Sequence, residues 1–250
     1  MDKKTKAGEV SREIQTTTSG EGLVQFHHPA SEKIPDNYYV LEISHKEAYP
    51  WLLKKHYAKR LCSICHSFGI LNKENEIQGV CTFGAPPAPT ENELWKPFEL
   101  LELNRLVVND GLPKNVLSYF VSSCLKKLPE PRVVISYADI DWNHCGYIYQ
   151  ATNWIYTGVG SKNIKSYIMK DGKCRHSRHK YLIKEREIKE IKRSVGKHRY
   201  FYFIGNRRQK KQMKRMLLER YKIETYPKLE PKHYNAKYKP ILQTRLFGDI

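Results

Sequence analysis

The sequence lacks long apolar runs. None approaches the roughly 18 residues that a membrane-spanning helix needs. The opening MDKKTKAGEVSREIQTTTSGEG has no apolar stretch of the kind a secretory leader carries. Cysteine is sparse: six in 250 residues do not build a disulfide scaffold, and they are expected as thiols of a cytoplasmic protein. The phosphate-loop pattern G-x-x-x-x-G-K-[ST] is absent, which argues against ATP hydrolysis. The pairing of H-x-E with P-C-x-x-C is absent too, which removes zinc-dependent deamination. CSICH (Cys62 to His66) has the spacing for covalent haem attachment, a chemistry of exported proteins. It could also open a zinc site with Cys174, His176 or His179. No second clean ligand pair follows it, so no metal is expected.

Acidic residues are also in short supply. Asp and Glu number 26 against 44 Lys and Arg, a net charge of +18. Such an excess points to a polyanionic partner. It is concentrated between Arg178 and Lys222, where 17 basic residues face 4 acidic ones. KYLIKEREIKEIKRS reads as a helix with Ile183, Ile188 and Ile191 along one face. HRYFYFIG reads as a strand. NRRQKKQMKRMLLERY reads as a basic helix, with Met213, Met216 and Leu217 inward and Arg207, Arg208, Lys210, Lys211, Lys214 and Arg215 outward. That face suits nucleic-acid phosphates. A membrane surface is the weaker alternative, because the apolar side is short and has no Trp or Phe.

Residues 1 to about 35 are polar and read as a disordered tail. From there strands and helices alternate, which predicts an α/β chain with a mixed sheet in residues 36–205, followed by a basic helix and tail in 206–250. NYYVLEIS is a strand and HKEAYPWLLKKHYAKR a helix that runs out near His56. FGIL and IQGVCTFG flank a hairpin turn, and APPAPTENE is a loop. LLELNRLVVND is a long strand, VLSYFVSSCLKKL an amphipathic helix, and RVVISYAD a buried strand. NHCGYIYQATN is a short helix before the strand WIYTGVG, and IKSYIMKDGKCRH is a hairpin about Asp171-Gly172. The central order is the layout of a GNAT-type acyltransferase core, in which two parallel strands splay and a donor enters the gap. The donor's pyrophosphate then meets the amides of the following helix, here about Lys114 to Ser118.

Four stretches are more specific than this layout. ELLELNRLVVNDGLPKNVLSYFVSSCLKKLP (Glu99 to Pro129), VISYADIDWNHCGYIYQATNWIYTG (Val134 to Gly158), KHYAKR (Lys55 to Arg60) and VCTFGAPPAP (Val80 to Pro89) together resemble the Mom DNA modification proteins of Mu-like phages. The resemblance covers about residues 38 to 230. It implies a GNAT-like fold and conversion of adenine in DNA to N6-carbamoylmethyladenine, which protects phage DNA from host restriction. The partner it implies is double-stranded DNA with a flipped adenine, since the amine of a paired base cannot otherwise be reached.

Asp139 ends a buried strand, where α/β sheets place their sites. It either deprotonates the adenine amine or caps the next turn. Tyr149 stands where GNAT enzymes often carry the Tyr that protonates the leaving group, and is otherwise a core aromatic. Tyr147, two residues away on a helix, points elsewhere. Asn153 and Gln150 could read an adenine edge or satisfy a turn. His56 and Tyr57 could stack on a flipped base or lie idle at a helix end. Arg105 interrupts a strand and needs a phosphate or a partner such as Asp139 or Glu102. Asn104, in a regular strand, points to the opposite face. Ser118 lies in the first turn of the donor-facing helix.

The donor is open between acetyl-CoA and glycyl-tRNA. GNAT enzymes usually carry Q/R-x-x-G-x-G/A where CoA docks, and this chain has GLPKNVLS there. The carbamoylmethyl group joins the amine through a saturated carbon, which simple acetyl transfer does not produce. The competing functions are a conventional acyl-CoA N-acetyltransferase and a nucleic-acid-binding module with an inactive core.

Overall fold

A computed structural model describes residues 37–87, 89–160 and 164–228. The expected N-terminal tail and the last residues of the C-terminal segment lie outside the described residues. The main sheet has seven strands: β1 (Tyr38–Glu42), β2 (His66–Asn72), β3 (Ile77–Gly84), β4 (Glu99–Val108), β5 (Arg132–Asp139), β6 (Ile155–Val159) and β10 (Lys197–Ile204). They lie in the order β1-β2-β3-β4-β5-β10-β6. A smaller sheet, in the order β8-β7-β9, is inserted between β6 and β10. It consists of β7 (Ile164–Met169), β8 (Cys174–His176) and β9 (Ile188–Arg193).

The helices follow from local chemistry. Ser44 and Glu47 form a capping box that starts α1 (His45–Pro50). One wide turn, Trp51–Lys55, continues it, and His56 N–H donates back to the Trp51 carbonyl at 2.9 Å before the chain turns extended. Pro89–Glu93 is a single turn of helix, α2, where a loop is expected. Proline suits the first position of such a turn. α3 (Val116–Lys127) and α4 (Tyr147–Ala151) cover one face of the main sheet, and α5 (Arg207–Leu218) covers the other.

This arrangement buries the central strands on both faces. Along β5, Val134 and Ala138 pack toward α3 while Val133 and Ile135 pack toward α5. Along β10, Tyr200 and Ile204 join the first cluster while Phe201 and Phe203 join the second, with Met213 and Leu217 of α5. Met213 and Leu217 of α5 are therefore part of the protein's own core.

The helix expected around Ile183, Ile188 and Ile191 is instead a short turn and a strand. Residues 185–187 form a short 3-10 turn, and Ile188 begins strand β9. Met169 faces Ile188 and Tyr167 faces Ile191, while Ile168 faces Glu190. One extra residue at Lys189 makes a bulge, so isoleucines three apart meet partners two apart. The bulge imitates a helical spacing.

The splay expected of a GNAT-like core is present. β4 and β5 run parallel and pair from Glu99↔Arg132 to Leu103↔Ser136. Beyond that pair each strand goes on alone at this edge, β4 through Val108 and β5 through Asp139. Their outer edges stay paired, β4 with β3 as far as Val108↔Gly79 and β5 with β10 as far as Asp139↔Lys197. The peptide groups facing the gap thus have no strand partner on that side.

Candidate active site

A cavity of about 350 Å³ opens in the splay. Its floor is the end of the paired region. Its walls come from Lys55, His56 and Tyr57, from β4, from the 143–146 loop, and from α4. Gly146 starts α4 at φ +78, and a Cβ there would run into the Tyr200 ring. Only glycine lets the loop close that tightly on β10.

Tyr149 is buried at the floor, and burial pushes its hydroxyl pKa up. The Ser136 hydroxyl lies 2.7 Å from the Tyr149 hydroxyl and 2.8 Å from the Leu103 carbonyl. Leu103 and Ser136 are the last pair before the strands part. Ser136 Oγ–H is shared between the Leu103 carbonyl and the Tyr149 oxygen, which leaves the phenolic proton free to face the cavity. This arrangement holds a protonated phenol at the root of the splay.

His56 is buried and held neutral. Burial, reinforced by the charges of Arg105, His144 and Arg60, lowers its pKa to about 3. Ala58 N–H donates to His56 Nδ1 at 3.0 Å. The ring proton therefore sits on Nε2, which makes His56 a donor, not a base. In an unfolded chain the imidazole protonates near pH 6.5, so between pH 6.5 and about 3 the unfolded state holds a proton that the folded state lacks. Stability from the neutral ring is complete above pH 6.5 and declines as pH falls toward about 3, by about 1.4 kcal/mol per pH unit. Urea denaturation between about pH 7 and pH 4 should show a shallower decline in His56→Gln than in the parent. Equal slopes would assign the effect to another buried imidazole, such as His198, whose pKa burial also lowers.

Around the mouth stands an aromatic cluster. Tyr57 lies 4.3 Å from His56, 5.1 Å from Trp142 and 5.3 Å from His144, ring centre to ring centre. Burial and the Asp139 charge push the Tyr57 hydroxyl up to about 12. Trp142 and Tyr147 are well exposed there. Such faces suit a planar base.

Asp139 does what a capping residue does. Its carboxylate accepts from Asp141 N–H at 3.1 Å and pairs with Lys197 at 3.3 Å. Glu102, by contrast, lines the cavity, and no hydrogen bond holds its carboxylate among the described residues. Burial pushes its pKa up, against the pull of Arg105, Lys197 and Arg60. That is the state a carboxylate base needs.

Asn104 and Arg105 both border the cavity, against the alternation expected of a regular strand. β3 faces β4 as Thr82↔Arg105 and then Phe83↔Leu103, so Asn104 is an extra residue in a bulge. Its side chain is committed to the Ser63 carbonyl at 2.6 Å and the Thr82 hydroxyl at 2.7 Å. Arg105 donates to the Asn104 carbonyl at 2.6 Å, and its buried Nε has no hydrogen-bond partner among the described residues. The remaining candidates stand apart from the cavity lining. Ser118 donates to the Asn115 carbonyl at 3.0 Å. Asn153 occupies a left-handed turn position at φ 61 after α4. Gln150 directs its amide at the carbonyls of Cys145 and Pro227 and at the Tyr200 hydroxyl. Cys62 and Cys65 are free thiols.

Sequence reasoning missed Glu102 as a base, Trp142 and His144 in the aromatic mouth, and Lys55. Lys55 is 3% exposed, lines the cavity, and its ammonium has no hydrogen bond among the described residues. The nearest carboxylate oxygen, on Asp110, is 3.8 Å away. A buried cation in that condition is poised for an anionic or carbonyl oxygen.

The Mom protein family model matches residues 37–228. The chain belongs to the Mom protein family. Among the relatives of this Mom-family chain is the methylcarbamoylase mom of Escherichia phage Mu, 26% identical over 198 residues, covering 70% of this chain and 77% of that protein. A solved structure from Acinetobacter baylyi ADP1, provisionally named an acetyltransferase, aligns over 67% of this chain and 92% of its own, with 9% identity and a TM-score of 0.38. The six cations expected to contact DNA all lie on α5. That helix begins after Ile204, which pairs with Arg132 at the end of β5 away from the cavity. Arg207, Arg208, Lys210, Lys211 and Arg215 are exposed, and Lys214 is half-buried.

Proposed function

We propose that this Mom-family chain is a transferase that modifies adenine in phage DNA to N6-carbamoylmethyladenine. The observation that carries the reading is the cavity in the β4–β5 splay. There a protonated Tyr149, the Glu102 carboxylate, a neutral His56 donor and an aromatic mouth converge. A flipped adenine stacks on the Tyr57–Trp142–His144 cluster. Glu102 accepts a proton from its amine, the His56 Nε2–H polarises the donor carbonyl, and Tyr149 protonates the leaving oxygen. Lys55 and Arg105 hold the donor's anionic part.

An activated glycine, with glycyl-tRNA as the source, fits the product better than acetyl-CoA. The amine nitrogen attacks the ester carbonyl, the carbon–oxygen bond breaks, and a glycyl amide forms. The free glycyl amine then attacks the purine carbon through a five-membered ring and expels the amide nitrogen. The original adenine nitrogen becomes the terminal carboxamide, and no atom is gained or lost. The loop before α3, which turns left-handed at Asn115 and lacks paired glycines, also speaks for a donor other than CoA.

Mass spectrometry of nucleosides from plasmid DNA of expressing cells should reveal an adenosine heavier by a carbamoylmethyl group. Both carbons should come from labelled glycine, and glycine nitrogen should end attached to the purine ring. An adenosine heavier by acetyl, labelled from acetate, would overturn the glycine route. Unmodified DNA beside soluble protein would remove the enzymatic reading in favour of a binding module.

A further inference from the structure

The inserted sheet joins the main sheet at the cavity end of β5. The connection from β6 to β10 leaves at Val159 and returns at Lys197, which pairs with Asp139 at the cavity end of β5. Lys197 itself lines the cavity. The insert is also tied to the loop that carries the aromatic mouth. Asp141, the residue before Trp142, accepts from Lys165 at 2.6 Å and from Val195 N–H at 3.2 Å. Residues 164–193 hold 11 Lys and Arg against 4 Asp and Glu. Lys184, Arg186, Lys189, Lys192 and Arg193 are exposed and take part in no ion pair among the described residues. α5 starts from the far end of β10, about 25 Å away along an eight-residue strand.

From this placement, and resting on the proposed modification of DNA, we propose that the β7–β9 insert, rather than α5, is the main docking surface for the backbone of duplex DNA. It grips phosphates beside the mouth while the target base enters the aromatic cluster. A duplex fits better than the RNA of a donor. The insert is anchored to the base-receiving loop after β5, whereas the donor side runs along β4 toward α3.

The test uses the full chain with Lys184, Arg186, Lys189, Lys192 and Arg193 each changed to Gln, beside a version with Arg207, Arg208, Lys210, Lys211 and Arg215 changed to Gln. Fluorescence anisotropy follows a labelled duplex of about two helical turns, bulk tRNA and phosphatidylserine vesicles across a salt series. The insert variant is expected to lose at least about tenfold in duplex affinity, with the salt slope falling by about 0.9 for each phosphate contact removed. The α5 variant is expected to lose less. Thermal melting checks folding, and Lys189→Gln with Lys192→Gln serves as a milder pair should the larger set unfold. Parent-like duplex binding by the insert variant would overturn the proposal. So would a larger loss in the α5 variant, or losses confined to tRNA or vesicles. Binding is read without chemistry, so it stands or falls separately from the modified nucleoside. A parent that binds duplex through the insert yet leaves adenine unmodified would support the docking surface and defeat the enzymatic reading.

Discussion

Replacing Tyr149 by Phe is expected to slow adenine modification by about two to four orders of magnitude, the usual contribution of a positioned general acid. The phenol is the proton source best placed in the cavity. It is buried, and burial keeps it protonated through the neutral range. The ring itself packs against Trp154 and Tyr200 at 5.0 and 5.2 Å, contacts that Phe retains. Stability should therefore fall only by the value of the hydrogen bond to Ser136, about 1 kcal/mol. Duplex binding should stay at the parent level, which separates a chemical defect from a docking defect. Ser136→Ala is the companion test. It removes the link to Leu103 but leaves the phenol, so a smaller loss of rate is expected. A Tyr149→Phe variant that kept half the parent rate would assign the leaving-group proton to another donor, with the His56 Nε2–H first in line.

What could be read from the sequence, and what could not, follows from the range of the forces involved. β5 and β10 were legible because helices cover both faces of the sheet, and this selects the apolar and aromatic runs VVIS and YFYFI. α5 was legible from its apolar stripe and its capping residue. Two bulges defeated the same logic. The extra residue at Lys189 disguised a strand as a helix, and the one at Asn104 broke the alternation that should separate Asn104 from Arg105. A bulge is a tertiary choice made against the partner strand, and one strand's sequence carries little of it. His56, Tyr57 and Tyr149 follow from the family resemblance, and the structure brings them to one cavity. What the resemblance left out was protonation. That His56 donates depends on Ala58 N–H and on burial, and both are products of the wide turn that ends α1.

Lys55 tests that last point most sharply, because its stability effect and its activity effect should have opposite signs. A lysine at a helix end is ordinarily an exposed partner for the helix dipole, so KKH carries no signal of a buried charge. The wide turn instead places Lys55 on the side of Trp51 and Leu52, both fully buried, and carries its ammonium in with them. Among the described residues, folding leaves that charge without a hydrogen bond, 3.8 Å from a half-exposed Asp110 carboxylate. Removing a buried and poorly compensated charge in favour of an apolar side chain of similar length is often neutral or stabilising by about 1–4 kcal/mol. Lys55→Met is therefore expected to unfold at equal or higher urea concentration than the parent. The donor would lose a charge-assisted hydrogen bond worth about 1.5–3 kcal/mol, which is roughly 10- to 150-fold in kcat/KM. Lys55→Arg, whose planar guanidinium places its donors differently from a compact ammonium, should not restore the activity. A variant that is less stable and fully active would make Lys55 a packing residue. One that is more stable and slow would show that the fold keeps an unsatisfied cation for its substrate.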